Sequence, residues 1–276
     1  MQSLRSINFY KEMVQRVRSK ISILFSNIHF LPADIEKYVL ENKALYKEFE
    51  KGFILLLEEE KYFKLYIYAD IRQEIALDLL NKKIVFRYMY RKGQRQEYLE
   101  YIERNLKENN FQKKGTMIYI CGQAEKLFEN CKKIEPIIRR LEKEGFYYAE
   151  LPETQYKTAE EMLISEKHIE DYHLEAATQN TIKKYYAIMS AKDELCAVYL
   201  GLIDGDVATG AIMAKEEYRM LGLVPMLSYY RYEWLKNNKI KRNEGWIYCD
   251  NKESLKYHQR IGFEVKDKYL EDWVLE

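Results

Sequence analysis

Lys215–Leu227, KEEYRMLGLVPML, sets one glycine between an apolar strand-like run and an amphipathic helix-like one. A strand opening into a helix leaves the first-turn N–H groups without partners, and a glycine lets another group approach them closely, which makes an anion site. Pro225 suits the first helical turn, where its missing N–H costs little. Met226, Leu227, Tyr230, Trp234 and Leu235 form one apolar stripe, which anchors the helix to a core and fixes the direction of its N-terminus. Arg219 either adds positive charge for a phosphate or ends a strand as a solvated residue. Cys121, Cys131, Cys196 and Cys249 contain no CxxC pair and have no histidine at ligand spacing, so no metal site is expected. His168 and His173 are five apart rather than the four of a helical metal pair, and read as solvated or locally bonded. Cys249 reads as strand-buried and has no base partner that would make it a nucleophile.

The elements around this loop follow from periodicity and punctuation. A helix is expected from Asp34 to Gly52, after Pro32 and with an acidic first turn. FILLLEEEKYFKLYIYA reads as a hairpin and KKIVFRYMYR as a strand, followed by a helix with Tyr98, Ile102 and Leu106 at helical spacing and the strand GTMIYIC. EKLFENCKKIEPIIRRLEKEG is a helix bent or restarted near Pro136, since an interior proline removes a backbone donor. The pattern then begins again: a helix over 159–178, strands KKYYAIMSA and ELCAVYLGLI, a tight turn at DGD and the strand VATGAIMA. After the glycine loop come the helix PMLSYYRYEWLKNN, the strand GWIYC, the helix KESLKYHQRI and closing strands. Strands alternating with helices give an α/β fold, a mixed sheet covered by helices, divided into domains 1–145 and 146–276. The segments 91–120 and 219–249 share an arginine, a glycine-containing loop (Gly93 in the first), a helix ending in Asn-Asn and an aromatic-aliphatic strand. That is a duplication or a convergence of similar units.

Composition narrows the classes. The 276 residues, 47% of them hydrophobic, suffice for one large or two small cores. With 45 Lys+Arg against 44 Asp+Glu, no net field draws the chain to nucleic acid or to an anionic membrane. Charges at Arg5, Lys11, Arg16, Arg18 and Lys20 deny the N-terminus a signal-peptide core or a membrane span, and the scattered cysteines fit a reduced, cytoplasmic setting.

The glycine loop, followed by the strand WIYCDN and then NKESLKYHQRIGF, resembles the GNAT (Gcn5-related N-acetyltransferase) superfamily over roughly residues 145–276. The resemblance implies a GNAT-like fold, with the repeat extending it to two tandem GNAT-like halves, the first having lost its cofactor loop. It implies acetyl-CoA as co-substrate, its pyrophosphate held by the amides of Leu221, Gly222, Leu223 and Val224 beside Arg219. Met220 and Val224 depart from the family pattern, and branched Val224 adds bulk near the pyrophosphate. Asn251, Ser254, Tyr257, Gly262 and Phe263 match the later signature, with Asn251 touching the cofactor arm or ordering the loop. Acetyl transfer to an amine needs a neutral amine, donors to the carbonyl and an acid for the sulfur. Tyr257 is the candidate acid, or else a packed tyrosine among 25. Asp250 and Glu217 are the candidate bases, although Asp250 also suits a helix cap and VATGAIMA carries no carboxylate.

The expected activity is transfer of an acetyl group to a primary amine of a small molecule or peptide. One alternative is aminoacyl transfer resembling the Fem family, opposed by the missing coiled-coil insertion and the lack of basic excess for tRNA. Another is a GNAT-fold binding module without chemistry.

Overall fold

The computed structural model describes residues 1–28, 32–77, 82–93, 96–165, 170–174 and 181–276. In chain order its elements are β1 (Gln2–Ser3), α1 (Ile7–Arg18), β2 (Leu24–Ser26), α2 (Pro32–Leu40), β3 (Ala44–Phe49), β4 (Gly52–Glu58), β5 (Tyr62–Asp70), β6 (Lys83–Arg91), α3 (Gln96–Glu108) and β7 (Gln112–Gln123). Then follow α4 (Ala124–Cys131), α5 (Glu135–Lys143), β8 (Tyr147–Glu150), α6 (Tyr156–Ser165), β9 (Ile182–Met189), β10 (Leu195–Asp204), β11 (Val207–Ala214), α7 (Leu223–Asn237), β12 (Arg242–Tyr248), α8 (Lys252–Ile261) and β13 (Glu264–Leu275). Among the described residues no helix is long and apolar enough to cross a membrane.

The chain forms two compact units, Met1–Ile118 with Asp267–Glu276, and Tyr119–Lys266. The division expected between residues 145 and 146 lies inside the second unit, because α4 and α5 pack on α7 there.

In unit 1 the strands run β1, β3, β4, β5, β6, β13. The run FILLL of β4 is buried on both faces: Phe53, Leu55 and Leu57 join the α1 and α2 core, while Ile54 and Leu56 join the α3 core. α1 starts where Ser6 accepts from Phe9 N (3.1 Å) and turns Tyr10, Met13 and Val17 inward. The helix expected to reach Gly52 stops at Leu40. Asn42 adopts φ 56°, Lys43 N–H closes on Tyr38 O (2.7 Å), and ALYKEF pairs with β4 as a strand whose Ala44 and Tyr46 face the core.

β5 and β6 are parallel and paired only from Tyr62 opposite Lys83 to Leu65 opposite Phe86. Since β4 fills the other edge of β5 along Phe63–Ala69, β2 has only the β6 side available, and it pairs there as Leu24 to Asp70, Phe25 to Ala69 and Ser26 to Tyr68. Asn27 completes the filling. Its Nδ2 donates to Leu65 O (3.2 Å) and Arg87 O (3.1 Å), and its Oδ1 accepts from Ile67 N (2.7 Å). A strand of the chain itself therefore occupies the gap of unit 1. Asn27→Ala removes the two buried hydrogen bonds to Leu65 O and Ile67 N and the part-buried one to Arg87 O, and is expected to destabilise the protein by about 3 kcal/mol. Urea unfolding measures this, and a change under about 1 kcal/mol contradicts the bridging role.

In unit 2 the end of β7 is followed across the sheet by β12, β11, β10, β9 and β8. β10 divides its side chains as β4 does: Cys196, Ala197 and Tyr199 meet α5 and α7, and Val198 and Leu200 meet α6. α4 ends at Cys131 and α5 restarts at Glu135 with Pro136 in its first turn, as the proline predicts. The helix expected over 159–178 is α6, which begins at Tyr156 and ends at Ser165, then a short 3-10 helix at Asp171–His173; residues 166–169 and 175–180, His168 among them, lie outside the described residues.

Each unit carries a three-strand meander followed by a parallel fourth strand, which equates β6 with β12. The repeat expected between 91–120 and 219–249 is therefore shifted. α3 follows β6 as α8 follows β12, and in chain order the connection between β5 and β6 corresponds to the glycine loop and α7 of unit 2; its described residues, 71–77 and 82, form no helix.

Candidate functional site

Unit 2 gathers its chemistry where β11 and β12 part. β11 pairs with β10 from Val207 to Ala214, which fills one edge, and meets β12 only at Val207 and Ala208, opposite Arg242 and Asn243. From Thr209 onward that second edge has no strand partner among the described residues. Carbonyls released by such a divergence need other donors. Asn243 Nδ2 donates to Ala208 O (2.8 Å), and the Tyr199 hydroxyl to Thr209 O (3.3 Å). At Gly210 a Cβ would lie 1.7 Å from Leu200 O, so only glycine lets β10 and β11 close up beside the opening.

β11 leads into a 3-10 helix, Glu216–Leu221, which Gly222 ends at φ 97° before α7. A side chain is strained in that left-handed conformation, which favours glycine, and a Cβ on Gly222 would meet Ile137 Cγ2 of α5 at 3.3 Å, a contact that the exposed Ile137 can relieve by a small shift. The ladder of α7 begins with Met226 N–H donating to Gly222 O (3.1 Å), so the amides of Leu223 and Val224 precede it. Leu221 closes the 3-10 helix, whose bonding engages its amide, and its carbonyl accepts from Arg140 Nη2 (3.2 Å). Val224 is partly buried against the α7 core, while Glu217, Arg219 and Met220 are exposed.

In α8, Asn251 takes the capping role foreseen for Asp250: its side chain accepts from Ser254 N (3.0 Å), and Asp250 is exposed on the preceding turn. Ser254 Oγ lies 3.3 Å from His258 Nδ1. Tyr257 is partly buried, and its hydroxyl donates to Ser228 Oγ of α7 (2.9 Å). Burial pushes the Tyr257 phenol well above its ordinary pKa, Cys131 adds to the rise, and the Ser228 bond and the Arg231 charge oppose it. The phenol thus stays protonated at neutral pH, the state a general acid requires. The structure brings the Tyr257 hydroxyl to Ser228 of α7, while Asp250 and Glu217 are exposed.

Other expectations resolve locally. His173 Nδ1 accepts from Glu170 N (3.1 Å), a local bond. Cys249, expected to be buried, is exposed because β12 ends at Tyr248. A carboxylate not singled out from the sequence stands at the opening. Glu244 follows the last residue of β12 paired with β11, is mostly buried, and lies 3.3 Å from Arg242 Nη1. It also bonds Tyr119, whose phenol pKa is raised first by burial and then by this carboxylate. Nothing local marks Glu244, because its place depends on where β12 leaves β11.

No protein-family model matches the sequence, and no curated protein matches it. Solved structures do. A tandem GNAT protein of the clavulanic acid biosynthesis pathway aligns over 100% of this chain and 97% of its own, at TM-score 0.54 and 9% identity. A GCN5-related glucosamine N-acetyltransferase region of a fungal multidomain β-N-acetylglucosaminidase aligns over 97% of this chain and 36% of its own, at TM-score 0.55 and 11% identity. A GCN5-related N-acetyltransferase-like protein from Streptococcus suis aligns over 95% and 99%, at TM-score 0.50 and 12% identity. The chain has the fold of the Gcn5-related N-acetyltransferases, and a tandem protein of that fold matches it along its whole length.

Proposed function

We propose that unit 2 is an N-acetyltransferase that moves the acetyl group of acetyl-CoA to a primary amine of a small molecule or peptide. One contrast carries this reading: among the described residues no strand lies in the gap between β11 and β12, whereas β2 and Asn27 fill the equivalent gap of unit 1. The unpaired edge of β11 suits an extended, amide-bearing arm. The amides of Leu223 and Val224 and the exposed Arg219 suit a pyrophosphate at the start of α7. Tyr257 protonates the departing sulfur, and Asn251 with Ser254 orders the start of α8. Glu244 takes the proton of the amine; Asp250 and Glu217 are more exposed candidates for the same step.

A second reading, a GNAT fold that binds without turnover, is favoured by Ile137 lying against Gly222 and by the lack of a carboxylate on β11. Calorimetric titration with acetyl-CoA tests both. Binding of one equivalent per chain, with turnover on a screened amine, supports the transferase. Amino sugars come first in that screen, since the fungal relative is named for glucosamine. Two equivalents contradict the filled gap of unit 1. Binding without turnover on any amine selects the second reading, and no binding at millimolar ligand removes the cofactor assignment.

A further inference from the structure

Arg231 of α7 is 5% exposed, and among the described residues no carboxylate pairs with it. Its Nη2 donates to Asn243 Oδ1 and its guanidinium also bonds the Tyr199 side chain, 3.9 Å from that ring's centre and 5.0 Å from that of Tyr232, while among the described residues nothing pairs with its buried Nε. A buried cation without a counter-ion is costly, and a neutral side chain could serve Asn243 without that cost. Its position is specific. Asn243 is the last residue of β12 paired with β11, and the same Asn243 side chain holds Ala208 O, so the charge is tied to the apex of the opening. Ser228, 1% exposed and three residues earlier on the same face of α7, receives the Tyr257 hydroxyl.

We propose that Arg231 is the built-in counter-charge of this cleft, stabilising the thiolate that acyl transfer releases. The inference rests on the acetyl-CoA reading of unit 2. In the transfer, the amine lone pair forms the C–N bond and the C–S bond breaks with its electron pair moving to sulfur. The nitrogen proton passes to Glu244, and the sulfur leaves as a thiolate beside the Tyr257 O–H, which hands over its proton only as solvent reprotonates it. A fixed positive charge at the apex favours the sulfur anion over the thioester and so acts mainly on the step that creates it. Arg231 is a positioning residue acting through the field it sets at Tyr257 and the sulfur.

The groups facing Arg231 are Cys131 from α4, Tyr199 from β10, Tyr232 from α7, Asn243 from β12 and Tyr257 from α8. Burial lifts the Cys131 thiol to about 12 and raises the three phenols above their ordinary range. None of them titrates near neutral pH, which leaves the ligand's own thiol as the group that can. A free thiol has a pKa of about 8.5.

The test compares the affinities of the full-length protein for CoA and for desulfo-CoA between pH 6.5 and 9.5. Titration of the phosphates acts on both ligands and cancels in the ratio. With Arg231 in place, CoA is expected to gain about tenfold over desulfo-CoA between pH 6.5 and 8.5, because the bound thiol ionises early. Arg231→Lys keeps the rise, and Arg231→Gln removes it while desulfo-CoA still binds. A flat ratio in the unaltered protein overturns the proposal even if every variant fails to fold, and so does a wild-type rise in Arg231→Gln. Failure of desulfo-CoA to bind at all is a different result: it removes the cofactor reading, and this inference falls with it.

Discussion

Tyr257→Phe is expected to lower turnover by about 100-fold or more while changing acetyl-CoA affinity less than threefold, since a positioned general acid contributes about 10²–10⁴-fold. The substitution keeps the ring that lies against His258 and removes only the hydroxyl that bonds Ser228. It leaves Ser228 Oγ buried without that donor, at a stability cost of about 1 kcal/mol. The sign of the pH dependence follows from the raised phenol pKa. The acid form persists through neutral pH, so the unaltered protein should lose no rate through Tyr257 ionisation below about pH 10. Steady-state kinetics with a fixed amine, beside calorimetric affinity, separates the acid from a packing residue. Unchanged turnover assigns Tyr257 to packing.

Gly222→Glu is expected to weaken acetyl-CoA binding at least 100-fold, because it puts a carboxylate where the phosphates should meet the start of α7. The fold will not be indifferent to this change. At φ 97° an L side chain costs about 1–2 kcal/mol, and its Cβ presses on Ile137 Cγ2. Gly222→Ala carries the same backbone strain without the charge and is the necessary control. Affinity should fall only a few-fold in the alanine variant and be lost in the glutamate variant, with similar melting temperatures. Equal affinities in the two variants reject the loop as the pyrophosphate site. Arg219→Glu, at an exposed position away from the strain, should weaken binding about tenfold and leave the melting temperature unchanged.

Local pattern determined the pieces of this protein. The hairpin of β4 and β5, the turn at Gly205, the restart at Pro136 and the glycine that ends one helix and opens α7 are each set by side-chain period and turn chemistry over a few residues. Where local patterns were compatible with two periods, tertiary pairing decided. Ala44–Phe49 continues a helical-looking run but is a strand, because Ala44 and Tyr46 bury their side chains only when the segment pairs with β4. The site belongs mostly to this second kind. Where β12 leaves β11, which side of β5 receives β2, and how Asn27 closes one gap are matters of register between segments far apart in sequence. Nothing in the sequence pattern singled out Arg231, which the packed helix turns onto Tyr199 and Asn243. Sequence determined that a glycine would open a helix at residue 222; only the packed sheet decided that β2 enters the gap of unit 1, because an edge is filled by whichever strand the rest of the chain delivers to it.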